Sequence, residues 1–159
     1  MDELDDKMPE ETDRRHAAIP MEYDGDVVLI DETIAELIQE VWDAGIETMM
    51  SCEETFPGLA WIEFTTVDEA MEFLNIAVTF DEDGDSTYRR AHTDFYGGPE
   101  FLDWEFRVNL FDLNDFHTHR ELGGPVCFEA SIGVYFPVED IDEILIRVRE
   151  FNAIRQTQA

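Results

Sequence analysis

Residues 59–74 read Leu-Ala-Trp-Ile-Glu-Phe-Thr-Thr-Val-Asp-Glu-Ala-Met-Glu-Phe-Leu, and their pattern decides the fold class. Leu59–Phe64 is a run of β-prone aliphatic and aromatic residues, the composition of a strand. Thr66 and Glu69 stand three apart, the spacing of a capping box, where hydroxyl and carboxylate satisfy N–H groups at a helix start. Beyond them Val67, Ala70, Met71, Leu74, Ala77 and Val78 recur at helical spacing and predict one buried face. A strand followed closely by a helix results, and residues 133–145 (Gly-Val-Tyr-Phe-Pro-Val-Glu-Asp-Ile-Asp-Glu-Ile-Leu) echo it faintly.

Toward the N-terminus the same logic repeats. Asp24-Gly25 turns the chain into the short apolar strand Val27–Ile30. Ile34, Leu37, Ile38, Val41 and Trp42 form one helical face, opened by a Thr33/Glu36 capping box and closed at Gly45. Ile46–Ser51 reads as a strand, and Glu53–Gly58 as a turn into Leu59. Toward the C-terminus, residues 81–100 read as a long loop. Two strands then alternate: Leu102, Trp104, Phe106, Val108 and Leu110 in the first, Val126, Phe128, Ala130, Ile132, Val134 and Phe136 in the second. Such alternation predicts one buried and one wet face per strand. After Pro137 a helix would bury Ile141, Ile144, Leu145, Val148 and Phe151, with Glu143 and Arg147 paired at i, i+4.

The expected class is α+β: two layers, a largely antiparallel sheet and helices on one face. The order matches a ferredoxin-like βαββαβ unit plus an extra strand and a C-terminal helix. Residues 1–22 read as a flexible acidic tail, and residues 23–155 as a single domain.

The surface is unusual. The 159 residues carry 39 Asp plus Glu against 10 Lys plus Arg, a net charge of −29, and Lys7 is the one lysine. Residues 16–88 hold 19 acids and no Lys or Arg. With 44% hydrophobic residues the chain still has the means for a core, so the acidity does not signal disorder. Charge of this size repels itself at low ionic strength; at 1 M salt the Debye length is about 3 Å and the repulsion is screened. Lysine scarcity with arginine retained fits a high-salt interior. Direct binding to nucleic acid or to an anionic membrane is disfavoured, because both need basic contacts. No apolar stretch approaches the roughly 20 residues of a membrane span, and Met1–Glu11 lacks the basic and apolar regions of a secretory signal. Cytoplasmic localisation is expected, with Cys52 and Cys127 as reduced thiols.

Candidate sites are few. Ser51, Cys52, Glu53 and Glu54 follow a strand and precede a turn, where sites often sit, although the acids around Cys52 oppose thiolate formation. His117 and His119, two apart, could hold a divalent transition metal with Asp112 and Cys52; two surface histidines at a hairpin tip is the other reading. Asp81, Asp83 and Asp85 fail as an EF-hand loop, since glycine and glutamate are misplaced. Glu32, Glu36, Glu40 and Asp43, extended by Glu47, make an acid-only stripe, either a salt-adapted solvated face or an acidic interaction face imitating DNA phosphates. Phosphate-binding, dinucleotide-binding, serine-hydrolase and zinc-protease motifs do not occur.

Val28-Leu29-Ile30-Asp31, Leu37-Ile38, Trp42–Thr48, Ser51-Cys52 and then Gly58, Ala60, Ile62 and Phe64 resemble small uncharacterised proteins of bacteria, archaea and their viruses. These share a Gly-Ile-x-Thr-x-x-Ser-Cys segment, here Gly45–Cys52, and the resemblance spans residues 27–75. It implies no function. The strand ending in Ser51-Cys52 is also similar to that of wybutosine-synthesis tRNA methyltransferases. In those a Ser-Gly-Arg follows, where Glu53 and Glu54 stand here. The expected function is non-enzymatic binding of a protein partner, or homo-oligomerisation, with no cofactor. The alternatives are a nucleic-acid mimic that blocks a DNA- or RNA-binding protein, and a metal-dependent enzyme using His117 and His119.

Overall fold

A computed structural model of the chain describes residues 16–56, 58–78, 91, 104–112 and 128–158. Strands β1 (Ala18–Tyr23) and β2 (Asp26–Asp31) form an antiparallel hairpin. Asp24 and Gly25 both adopt positive φ, 52° and 84°, the pairing that matches a two-residue turn to strand twist. The predicted tail is therefore too long, because Ala18–Glu22 pair with β2. Pro20 and the scattered charges hid a strand that needs burial on one side only.

Helix α1 (Glu32–Asp43) follows β2 directly and leads through Gly45 to β3 (Thr48–Phe56), β4 (Leu59–Phe64) and α2 (Val67–Ala77). After α2 come β5 (Glu105–Asp112), β6 (Phe128–Pro137) and α3 (Ile141–Gln158). The main sheet has the order β3-β4-β6-β5 with every neighbour antiparallel. The α+β class, the antiparallel pairing and the C-terminal helix agree with expectation. The ferredoxin-like interleaving does not arise, since β2 stays with β1 in a separate hairpin and never joins the main sheet.

One core joins these pieces. Ile34, Leu37 and Ile38 of α1, Phe73 of α2 and Ile144 of α3 pack with Ala60, Ile62, Phe64, Val134 and Phe136 of the sheet, all fully buried. Tyr23 stacks on Trp42 at 4.3 Å between centroids, and Trp42 Nε1 donates to Thr48 Oγ1 at 2.9 Å, which holds the hairpin and β3 on α1. Three expectations differ from the structure. The inner face of α2 is Ala70, Phe73, Ile76 and Ala77, while Val67 and Met71 are exposed; Phe73, packed 4.8 Å from Phe64, takes the core position by size. On β6 both faces are covered, since Ser131 and Tyr135 are buried as well as Val134 and Phe136. On β5 the expected inner residues Val108 and Leu110 are exposed.

Candidate functional site at the start of α1

The expected turn at Glu53–Glu54 is strand, because β3 runs on to Phe56. That extension carries Cys52 and Glu53 to the first turn of α1. The Thr33/Glu36 box is not made. Instead the Thr33 N–H donates to Glu53 Oε2 at 2.8 Å, so a carboxylate from another strand caps the helix. Asp31, the residue before α1, returns the contact: its Oδ2 accepts from the Glu53 N–H at 3.0 Å. His16, expected in the tail, lies with Nδ1 2.7 Å from Glu53 Oε1. One donor atom each from His16, Asp31 and Cys52 all lie within 4.8 Å of one another. Cys52 is 6% exposed and carries a thiol. Ser51 and Glu54 flank this cluster without entering it.

Of the expected metal set, Cys52 alone reaches a cluster of donors among the described residues. His117 and His119 lie outside the described residues, as do Asp81, Asp83, Asp85 and Cys127, and Asp112 is placed only as the last residue of β5. The sequence did contain a signal for the observed partner: His16 is the one histidine of residues 16–88.

The acid stripe of α1 is not a free row of carboxylates. Arg149 of α3 reaches Glu36 Oε2 with Nη2 at 3.0 Å and Glu40 Oε1 with Nε at 3.4 Å. Asn152 Nδ2 donates to Glu40 Oε2 at 2.8 Å. Glu32, Asp43 and Glu47 remain exposed. Near the other end of α1, burial raises the Glu69 carboxyl above its usual range. The carboxylates of Glu47 and Glu72 add to the rise, against the opposing hydrogen bond from the Glu47 backbone. Burial likewise raises the Tyr23 phenol, with Glu47 the next contributor.

On the sheet face opposite the helices lies a second polar cluster, centred on Glu63, 5% exposed. It accepts from Trp61 Nε1 at 3.2 Å, from Asn109 Nδ2 at 2.8 Å and from the Ser131 hydroxyl. Gly133, opposite Glu63 across β4–β6, leaves it room: a Cβ there would sit 2.6 Å from Glu63 Oε2. The donors are neutral and engage both carboxylate oxygens, which suits a structural network.

An apolar strip runs along the hairpin and β3. Val27 and Leu29 on the outer side of β2 are 71% and 72% exposed, and Met49 and Met50 on β3 are 50% and 60% exposed. Leu29, Met49 and Met50 line one cleft of about 200 Å³ between hairpin and sheet.

No protein family model and no solved structure matches the chain. The chain is similar to uncharacterized protein R428 of Acanthamoeba polyphaga mimivirus, at 28% identity over 121 residues. That match covers 74% of this chain and 60% of the viral protein, so the chain spans less than two thirds of its relative's length. Among the described residues no helix is long and apolar enough to cross a membrane.

Proposed function

We propose that the protein acts by binding a protein partner, without turnover, through the apolar strip of the hairpin and β3, in a high-salt interior. The exposure of Val27, Leu29, Met49 and Met50 carries this reading, because apolar residues at two adjacent strand edges are out of place on a carboxylate-covered surface. Fully burying such a side chain contributes about 1.5–3 kcal/mol. Four of them, already part-buried, would supply roughly 4–8 kcal/mol, similar to the lower estimates of what association costs. Charge must therefore complete the interface. Glu22, Asp24 and Asp26 rim the strip, which favours a partner with an apolar centre and a basic border. A second copy of the chain fits only where salt screens like charge.

The test compares wild type with Val27→Ser/Leu29→Ser by light scattering and by cross-linked capture from the native host in molar KCl. A defined partner, or a dimer, lost in the variant supports the reading. Equal capture by both, or turnover of a metabolite by purified protein, refutes it. The alternative, a nucleic-acid mimic, draws on the base-free stretch of residues 16–88, and within the α1 stripe on Glu32, Asp43 and Glu47, since Glu36 and Glu40 are engaged by α3.

A further inference from the structure

We infer that His16, Asp31 and Cys52 form a binding site for a borderline-soft divalent cation of the zinc class, one that fastens the residues before β1 to α1 and β3. The inference is independent of the partner-binding reading.

The donor set comes first. An imidazole nitrogen, a carboxylate oxygen and a sulfur stand within 4.8 Å of one another. With bonds of about 2.0–2.3 Å and tetrahedral angles, zinc ligands lie about 3.3–3.8 Å apart. Closing onto an ion asks for about 1 Å, within reach of side-chain rotation. Thiolate plus imidazole selects zinc, cobalt or nickel over magnesium or calcium, which prefer all-oxygen shells.

The surroundings of those donors support the choice. Glu53 holds two of the three ligands, each through one of its two polar atoms. Its Oε1 takes His16 Nδ1 at 2.7 Å, which orients the ring and leaves the Nε2 lone pair for an ion. Its backbone N–H takes Asp31 Oδ2 at 3.0 Å, leaving Oδ1. A carboxylate that orients a ligating histidine is the usual outer shell of a zinc site. Glu53 is itself fixed, since its Oε2 accepts the Thr33 N–H of α1.

Electrostatics and connectivity point the same way. Asp31, Glu53 and a Cys52 thiolate would gather negative charge in a corner where the thiol is 6% exposed, within a block of sequence lacking Lys and Arg. A dication offsets that charge and stabilises the thiolate. The three ligands come from the residues before β1, the end of β2 and the middle of β3. Glu32 N–H donates to the Ala17 carbonyl at 2.7 Å beside them, so the ion would lock a junction already begun. Three protein ligands leave a fourth position for water or a further side chain.

The full-length protein, stripped with chelator and kept in molar salt, would be titrated with Co²⁺ and then Zn²⁺. One equivalent of cobalt should give a thiolate-to-cobalt charge-transfer band in the near ultraviolet with intense four-coordinate d–d bands, both removed by zinc. Cys52→Ser should lose the near-ultraviolet band, His16→Gln should bind at least tenfold more weakly, and Glu53→Gln about 10–100-fold more weakly. Zinc should raise the melting temperature of wild type and not of His16→Gln, a comparison that holds even if Cys52→Ser does not fold. A His117→Ala/His119→Ala protein should bind as wild type does. Absence of the bands at one equivalent, their retention in both Cys52→Ser and His16→Gln, or their loss only in the His117/His119 variant would overturn the assignment. So would a Cys52 that alkylates rapidly without taking up metal.

Discussion

Gly133 and Glu63 offer a test of how tightly the helix-free face is built. In Gly133→Ala the new Cβ would sit 2.6 Å from Glu63 Oε2, closer than carbon tolerates, and 3.0 Å from Trp61 Nε1, a tight contact. A flexible carboxylate could swing aside, but this one is 5% exposed and held by donors from Trp61, Asn109 and Ser131. Moving it breaks the Trp61 bond or strains the strand pair, at about 1–3 kcal/mol. Glu63→Ala removes the acceptor itself. Asn109 is exposed and can turn to water, so the lasting loss falls on Ser131, 3% exposed, and half-buried Trp61. At about 1–2 kcal/mol for each orphaned donor, the change costs about 2–4 kcal/mol. The double variant is the informative one. With the carboxylate gone, the methyl group introduced by Gly133→Ala enters space that Glu63 vacated, so its closest contact disappears and the two costs do not add. Urea unfolding at fixed molar salt, followed by circular dichroism, should give a coupling of at least 1 kcal/mol between the two sites. Additivity within about 0.5 kcal/mol would refute the claim that Glu63 is what Gly133 makes room for.

Other consequences are quicker to state. Glu69 has a raised carboxyl pKa and, among the described residues, a buried Oε2 without a hydrogen-bond partner. Its protonated form favours the fold, so its contribution is full below the unfolded value near 4.5 and is lost as pH rises through the folded one. Glu69→Gln should therefore melt higher than wild type at neutral pH, and the gain should vanish in melts taken below pH 4.5. Thr66→Ala removes the acceptor of the Glu69 N–H at 3.2 Å and should cost about 1 kcal/mol in urea melts, without changing the unfolding slope. Arg147 donates to the Ala77 carbonyl at 2.7 Å and to Glu143 at 3.0 Å, so Arg147→Ala should cost about 2 kcal/mol at low and high salt alike. Arg149 makes exposed pairs, so Arg149→Ala should cost under about 1 kcal/mol at low salt and nothing measurable in molar salt.

Periodicity made the helices legible, because their apolar residues repeat at the spacing of one buried face, and β-prone composition did the same for β4. It failed where burial is two-sided or borrowed. Ser131, Glu63 and Tyr135 look like a wet face until β6 lies between β4 and β5 with that face covered. The place of β2 was illegible for a related reason: Val27–Ile30 reads as a buried strand, yet Val27 and Leu29 face outward. At the start of α1, the local Thr33/Glu36 box competed with a carboxylate 20 residues away, and the distant one took the helix N–H. Local spacing cannot report such a partner. The same is true of His16, which stands in sequence between Arg15 and Ala17 and in space beside Glu53, Asp31 and Cys52.

The charge asymmetry also changes meaning once the chain is folded. Residues 16–88 lack Lys and Arg, but α3 brings three arginines against them. Arg155 donates to the Ala44 carbonyl at the end of α1, and Arg147 donates to the Ala77 carbonyl at the end of α2. Both occupy helix C-termini, where unsatisfied carbonyls and the helix dipole favour a cation. Neither helix has a basic residue in its own last turn. The acid-rich block thus receives its C-terminal capping charge from another part of the chain, and α3 acts as a clasp across α1 and α2. A short, part-buried N–H to carbonyl bond is little affected by salt, unlike the exposed Arg149 pairs. A chain so acidic can keep such bonds in molar salt while leaving its outer carboxylates to hydration. Arg147, which divides its guanidinium between the Ala77 carbonyl and Glu143, stands where lysine, with no planar fork, would serve less well.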